Sequence, residues 1–148
     1  MRRYNIIFLE IDHVLNTVET IDISRPPTID PYLVDNFLAL LSVIPDPAIV
    51  ITSDWRRIWA KDKLFKYLSE FGIPVKFFVS ITPVYPGSTR GTEITSWLER
   101  NAEYWKNLVI LDNRNDMDHL VLHLIKTDQD QGLKLSDIGR AKKILMIK

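Results

Sequence analysis

The chain has 148 residues, 46% of them hydrophobic, and its 19 basic and 19 acidic side chains cancel. That length suits one ordinary domain over residues 1–148, with a core large enough to fold unaided, and the charge balance removes a general electrostatic case for nucleic-acid binding. With no cysteine, disulfides, thiolate metal sites and cysteine nucleophiles are excluded, so a metal would be held by oxygen or by histidine.

The N-terminus begins with Arg2 and Arg3, but Glu10 and Asp12 interrupt the apolar run behind them and no small-residue cleavage site follows. It does not read as a signal peptide. No stretch nears the roughly 20 apolar residues that cross a bilayer, and the expected setting is cytoplasmic, with no membrane partner. Asn5 to Ile11 is apolar nearly throughout, as a central strand buried on both faces should be. Asn16 to Pro31, with Arg25-Pro26-Pro27, reads as a loop into a helix from Tyr32 to Val43, which Pro45 and Pro47 end. Ala48 to Thr52 is a second strand and Trp55 to Phe71 a second helix, capped by Asp54 and stopped by Gly72 and Pro74. A third strand spans Val75 to Ser80. A loop from Thr82 to Thr89 leads to a helix over Gly91 to Asn101, a fourth strand over Leu108 to Leu111 and a fifth over Leu122 to Thr127. The last helix starts at the N-cap Ser136 and runs towards Leu145. Strands alternating with helices predict a three-layer α/β/α, Rossmann-like fold around a parallel sheet of about five strands.

In such sheets ligands bind beyond the carboxyl ends of the strands. There the first strand supplies Glu10 and Asp12, the second Thr52, Ser53 and Asp54, and the fourth Asp112, with Asp116 a turn further on. Hard oxygen ligands of this kind suit Mg²⁺, which takes one or two carboxylates together with water and substrate phosphate. Thr52 can donate to phosphate oxygens, and Arg90 at the start of the third helix can neutralise a transferring phosphoryl group. His119 and His123 have the spacing of a helical zinc pair, but no third ligand accompanies them. No Gly-x-x-x-x-Gly-Lys loop is present.

Ile7-Phe8-Leu9-Glu10-Ile11-Asp12-His13-Val14-Leu15-Asn16 resembles the first motif of haloacid-dehalogenase-like (HAD) phosphatases, and Ile49-Val50-Ile51-Thr52-Ser53-Asp54-Trp55-Arg56 the second. Thr82-Pro83, the run Arg90-Gly91 to Trp97-Leu98, Ile110-Leu111-Asp112 with Asp116-Met117, and Thr127-Asp128 with Gly132-Leu133 follow in register. Together they are similar to the small HAD domain of Swiss army knife RNA-repair proteins, over nearly the whole chain. The resemblance implies a HAD fold without a separate cap domain and a Mg²⁺-dependent phosphomonoesterase. Its substrate would be phosphorylated and large, nucleic-acid ends among the options, and no obligate protein partner is inferred. By position, Glu10 takes the place of the nucleophile and Asp12 that of the general acid and base. Thr52 would bind the phosphoryl oxygens, with Ser53 the near alternative, and Arg90 would be the third-motif cation. Arg56 and His13 join the phosphate contacts, and Glu10, Asp12, Asp112 and Asp116 would serve the metal.

The first motif departs from the family's Asp-x-Asp-Gly at two places. Glu10 moves a carboxylate by about one carbon–carbon bond, ~1.5 Å. His13 replaces a glycine, so the loop either avoids positive φ or tolerates it at a cost; two readings stand, a changed loop geometry that compensates for Glu10 or a histidine that is itself a phosphate contact or an acid. Asn113 and Arg114 replace acidic residues common in this branch. Two functions therefore stand side by side: a phosphohydrolase, and a relative that binds metal or phosphate without turnover as a recognition or regulatory module. A receiver-like phosphoacceptor fits less well, because the Arg90-to-Trp97 and Gly132-Leu133 patterns are foreign to it.

Overall fold

The computed structural model describes residues 2–20 and 28–148, so the expected loop feature Arg25-Pro26-Pro27 lies outside the described residues. Five strands form one parallel sheet: β1 (Tyr4–Leu9), β2 (Pro47–Ile51), β3 (Phe78–Ile81), β4 (Trp105–Asp112) and β5 (Leu124–Lys126). Their spatial order is β3-β2-β1-β4-β5. The chain winds outward from β1 in one direction through β2 and β3, then crosses to the other side for β4 and β5. The crevice beyond the ends of β1 and β4 is thus the topological switch point, where open α/β sheets bind ligands.

Alternation along the strands divides the core into two layers. Ile7 and Leu9 of β1, Ile49 and Ile51 of β2, and Val109 and Leu111 of β4 face α1 (Pro31–Ser42), α2 (Lys61–Ser69) and α4 (Asp137–Ile144). Ile6, Phe8, Val50, Leu108 and Ile110 face α3 (Arg90–Arg100), where the Trp97 ring meets Phe8 edge-on at 5.6 Å. Burial on both faces explains why β1 and β4 read as continuous apolar runs. Among the described residues no helix is long and apolar enough to cross a membrane.

Several boundaries differ from the sequence reading. The single helix expected over 55–71 is a 3-10 turn, Asp54–Arg57, followed by α2, because Ala60 is extended (ψ 145°) and separates the two. Its cap is Ser53, whose side chain accepts from Trp55 N, rather than Asp54. The first part of the expected third strand is another 3-10 turn, Val75–Phe77. Before β5 the chain makes a 3-10 helix, Asp118–His123, on which Leu122 is 85% exposed; an outward leucine cannot belong to the buried strand expected from 122. On that turn His123 Nδ1 lies 3.1 Å from the Leu108 carbonyl, a tertiary tie rather than half of a zinc site. Ser136 makes no side-chain cap; Asp137 accepts from Lys134 N instead, at 2.9 Å.

Candidate active site at the switch point

The residues that follow the strands are held by continuations of the sheet ladder. Glu10 N donates to the Leu111 carbonyl (3.0 Å), Thr52 N to Leu9 (3.0 Å), Thr82 N to Ile51 (3.0 Å) and Thr127 N to Asp112 (2.9 Å). Each polar residue therefore begins at a fixed height above the sheet, although the sequence separates Glu10 and Asp112 by a hundred positions. Arg90 enters from the N-terminus of α3, capped by Thr89. Its neighbour Gly91 is where that helix touches the following loop: a Cβ there would lie 2.3 Å from the Met117 carbonyl oxygen. Only glycine permits that approach, and it explains the Arg-Gly pairing.

Glu10, Thr52, Ser53, Arg90 and Asp112 are all buried. Glu10 Oε1 accepts from Ile11 N and Oε2 from Arg90 Nη2, both at 2.7 Å. Arg90 Nη1 donates to the Thr52 carbonyl, and Nε lies 3.2 Å from Asp112 Oδ2. That last pair is ionic but off-angle, so Arg90 Nε and Asp112 Oδ2 are both buried without a hydrogen bond, as is Thr52 Oγ1. One guanidinium thus spans the ends of β1, β2 and β4. Burial lifts the Glu10 carboxyl to about 7, against the pull of Arg90 and with the support of Asp112. Burial also raises Asp112, again opposed by Arg90.

Asp12 is half-buried, and its Oδ1 accepts from Trp55 Nε1 (3.1 Å) and Asn16 Nδ2 (3.0 Å). Asn16 Oδ1 in turn accepts from His13 N at 2.7 Å. His13 adopts φ +66°, so the loop tolerates the left-handed conformation that glycine would take freely. The remaining motifs hold this loop in place. Thr127 Oγ1 donates to the His13 carbonyl (2.7 Å) and Leu133 N to the Val14 carbonyl (3.0 Å), while Gly132 (φ +65°) leaves no space for a Cβ against Leu33 and Val14. Trp55, Asn16 and Thr127 are site residues that sequence reasoning did not assign. The signal for Asn16 was its place one helical turn after Asp12, within reach of the same carboxylate.

Asp116 sits at the rim. Its Oδ2 accepts from Arg90 N (3.0 Å) and its Oδ1 from Arg114 Nε (2.9 Å). Burial works to raise its pKa, but the bonds from Arg114 and the Arg90 backbone hold it below the usual value. Arg56 turns inward. Nε donates to Thr82 O (3.1 Å), Nη1 to Thr52 O (2.6 Å) and Ser53 O (2.9 Å), and Nη2 to Pro83 O (3.3 Å) and Glu93 Oε1 (2.7 Å). All five of its N–H groups are committed to protein acceptors, so it clamps the ends of β2 and β3 to α3 rather than presenting donors to a phosphate.

The structure therefore brings Glu10, Thr52, Arg90 and Asp112 together and leaves the Asp12 and Asp116 carboxylates on other partners. Among the described residues no three acidic or histidine side chains gather as a ready-made metal cage. A magnesium ion does not need one, since it keeps most of its waters and takes one or two carboxylates. Glu10 and Asp112 on adjacent strands meet that requirement, and the buried Asp112 Oδ2 without a hydrogen bond is the acceptor such an ion would use.

Comparison with curated proteins and with solved structures gives no match. The family described as the HAD domain in Swiss Army Knife RNA repair proteins matches residues 6–138, a span that includes β1 from Ile6 onward, β2 to β5, α1 to α3 and all the residues gathered above. The chain belongs to this family of HAD domains.

Proposed function

We propose that the domain is a Mg²⁺-dependent phosphohydrolase acting on phosphomonoesters by a covalent two-step route, with Glu10 in the place of the usual aspartate nucleophile. The observation that carries this reading is the convergence of Glu10 and Asp112 on Arg90, beside a buried Thr52 hydroxyl that has no protein partner. Those groups are what a dianionic phosphoryl group needs: a nucleophile, a hydroxyl donor and a cation.

A bound Mg²⁺ held by Glu10 and Asp112 would supply charge neutralisation on the phosphoryl oxygens. Glu10 would attack phosphorus, breaking the ester bond and forming an acyl-phosphate on its own carboxylate. Asp12 would give a proton to the departing oxygen and then take one from the water that cleaves the acyl-phosphate. Trp55 and Asn16 hold one oxygen of Asp12 and would fix its orientation for both transfers. Thr52 would donate to a phosphoryl oxygen.

The connection of residues 10–30 between β1 and α1 falls below the ~40 residues at which a separate lid could fold by itself. Large substrates, polynucleotide ends included, would then reach the site directly. A second reading rests on a specific contact. Both Glu10 oxygens are engaged within the protein, which suits a module that binds metal or phosphate without turnover. Hydrolysis of an aryl phosphate and of 3′- and 5′-phosphorylated oligonucleotides, with Mg²⁺ and then EDTA, tests the first reading. Turnover that needs Mg²⁺ and disappears in Asp12→Asn and Asp112→Asn supports it. Phosphate binding with no turnover on any substrate would favour the module.

A further inference from the structure

Arg90 is the largest fully buried side chain among the described residues, 1% exposed. A cation placed only to receive a phosphate would turn its donors towards open space. Here Nη2 is on Glu10 Oε2 (2.7 Å), Nη1 on the Thr52 carbonyl, and Nε faces Asp112 Oδ2 at 3.2 Å. The guanidinium lies between the two carboxylates that the proposed reaction would give to a divalent ion. Two carboxylates buried at neighbouring strand ends would destabilise the fold unless a cation accompanied them, and Arg90 is that cation in the folded chain.

We propose that Arg90 is an internal counter-ion that stands in for the divalent cation, so that the domain folds without metal and Mg²⁺ gains Glu10 and Asp112 only by displacing the guanidinium. The inference rests on reading those two residues as the metal carboxylates. It also couples the two ligands. Once off Glu10 and Asp112, Arg90 has charged donors to give to a phosphate, so an anion that holds Arg90 away favours metal binding, and by linkage metal favours the anion.

The test measures Mn²⁺, a spin probe for the Mg²⁺ site, by the electron paramagnetic resonance of the free ion, with and without inorganic phosphate, on the wild type and Arg90→Met. The charge-assisted hydrogen bond to be broken corresponds to about tenfold or more in affinity. Arg90→Met should bind Mn²⁺ tighter by at least that factor. Phosphate should tighten Mn²⁺ binding to the wild type and leave Arg90→Met unchanged. The variant should also melt lower than the wild type in EDTA and regain several degrees with Mg²⁺, while the wild type moves little. Equal or weaker Mn²⁺ binding by a folded Arg90→Met would overturn the competition and leave the phosphohydrolase reading standing. Binding to neither protein would remove both. Should Arg90→Met fail to fold with or without metal, the Arg90 Nε–Hε resonance of the wild type decides: it shifts on Mg²⁺ addition if the guanidinium is displaced, and binding of Mg²⁺ that leaves it unmoved contradicts the proposal.

Discussion

Replacing Glu10 by aspartate separates the two functional readings most sharply. The change withdraws the carboxylate by one carbon–carbon bond, ~1.5 Å. Arg90 Nη2 now lies 2.7 Å from Glu10 Oε2, so the shortened side chain would leave a gap of about 4 Å, too long for a hydrogen bond. The loss of one charge-assisted bond is worth about 1.5–3 kcal/mol, and the melting temperature should fall by roughly 3–10 °C for a domain of this size. For the proposed nucleophile, the same shortening restores the side-chain length of the aspartate usual at that place in the first motif. Misplacement on the order of 1 Å costs about 10²-fold in rate, so Glu10→Asp should hydrolyse an aryl phosphate ~10- to 100-fold faster than the wild type in the presence of Mg²⁺. The assay is release of the phenolate by absorbance, run beside a thermal melt of each protein. Lower stability with higher turnover fits an intact catalytic scaffold. A folded Glu10→Asp that is no faster than the wild type would refute the positional argument, and inactivity of both proteins would remove the enzymatic reading for simple esters.

Three further outcomes follow from named contacts. Because the Glu10 carboxyl is lifted from 4.5 to about 7, the folded state binds its proton more tightly than the unfolded chain does. Its contribution is complete below about pH 4.5 and is lost as pH rises through about 7. Melting between about pH 5 and pH 8 should show the wild type losing stability relative to Glu10→Gln, by at most about 3 kcal/mol; parallel curves would contradict the assignment. His13→Gly should remove the cost of φ +66° and raise stability by about 0.5–1 kcal/mol once the extra freedom of unfolded glycine is subtracted. If phosphate binding falls in that more stable variant, the imidazole contacts the ligand; a loss of stability would show that the side chain is held by packing instead. Arg56→Met should cost about 3–5 kcal/mol at neutral pH, since it leaves Glu93 buried without its 2.7 Å partner. A neutral effect in a denaturant titration would mean that Arg56 does not clamp the strand ends.

The layering of the fold was legible because burial on both faces leaves uninterrupted apolar runs, Ile6 to Leu9 and Leu108 to Leu111 being the plainest. The grouping of Glu10, Thr52, Arg90 and Asp112 was legible for a related reason: parallel strands all deliver their ends to one rim. What the sequence could not convey was which partner each side chain would take. Arg56 and Arg90 are the same residue type near the same site, yet one closes on carbonyls and Glu93 while the other bridges Glu10 and Asp112. That distinction depends on distances across the sheet. The 3-10 turns at 54–57, 75–77 and 118–123 were missed because their apolar residues satisfy a helix or strand pattern locally, and only tertiary contacts such as Trp55 to Asp12 decide otherwise. The left-handed His13 was visible only as a glycine position filled by another residue.

The most direct test of the account is a crystal structure with Mg²⁺ and a beryllium fluoride phosphate mimic. The account predicts the mimic against Glu10 and the Thr52 hydroxyl, the ion on Glu10 and Asp112, and Arg90 drawn from the carboxylates onto the mimic. Magnesium or mimic bound elsewhere, with the Glu10–Arg90–Asp112 bridge intact, would contradict it.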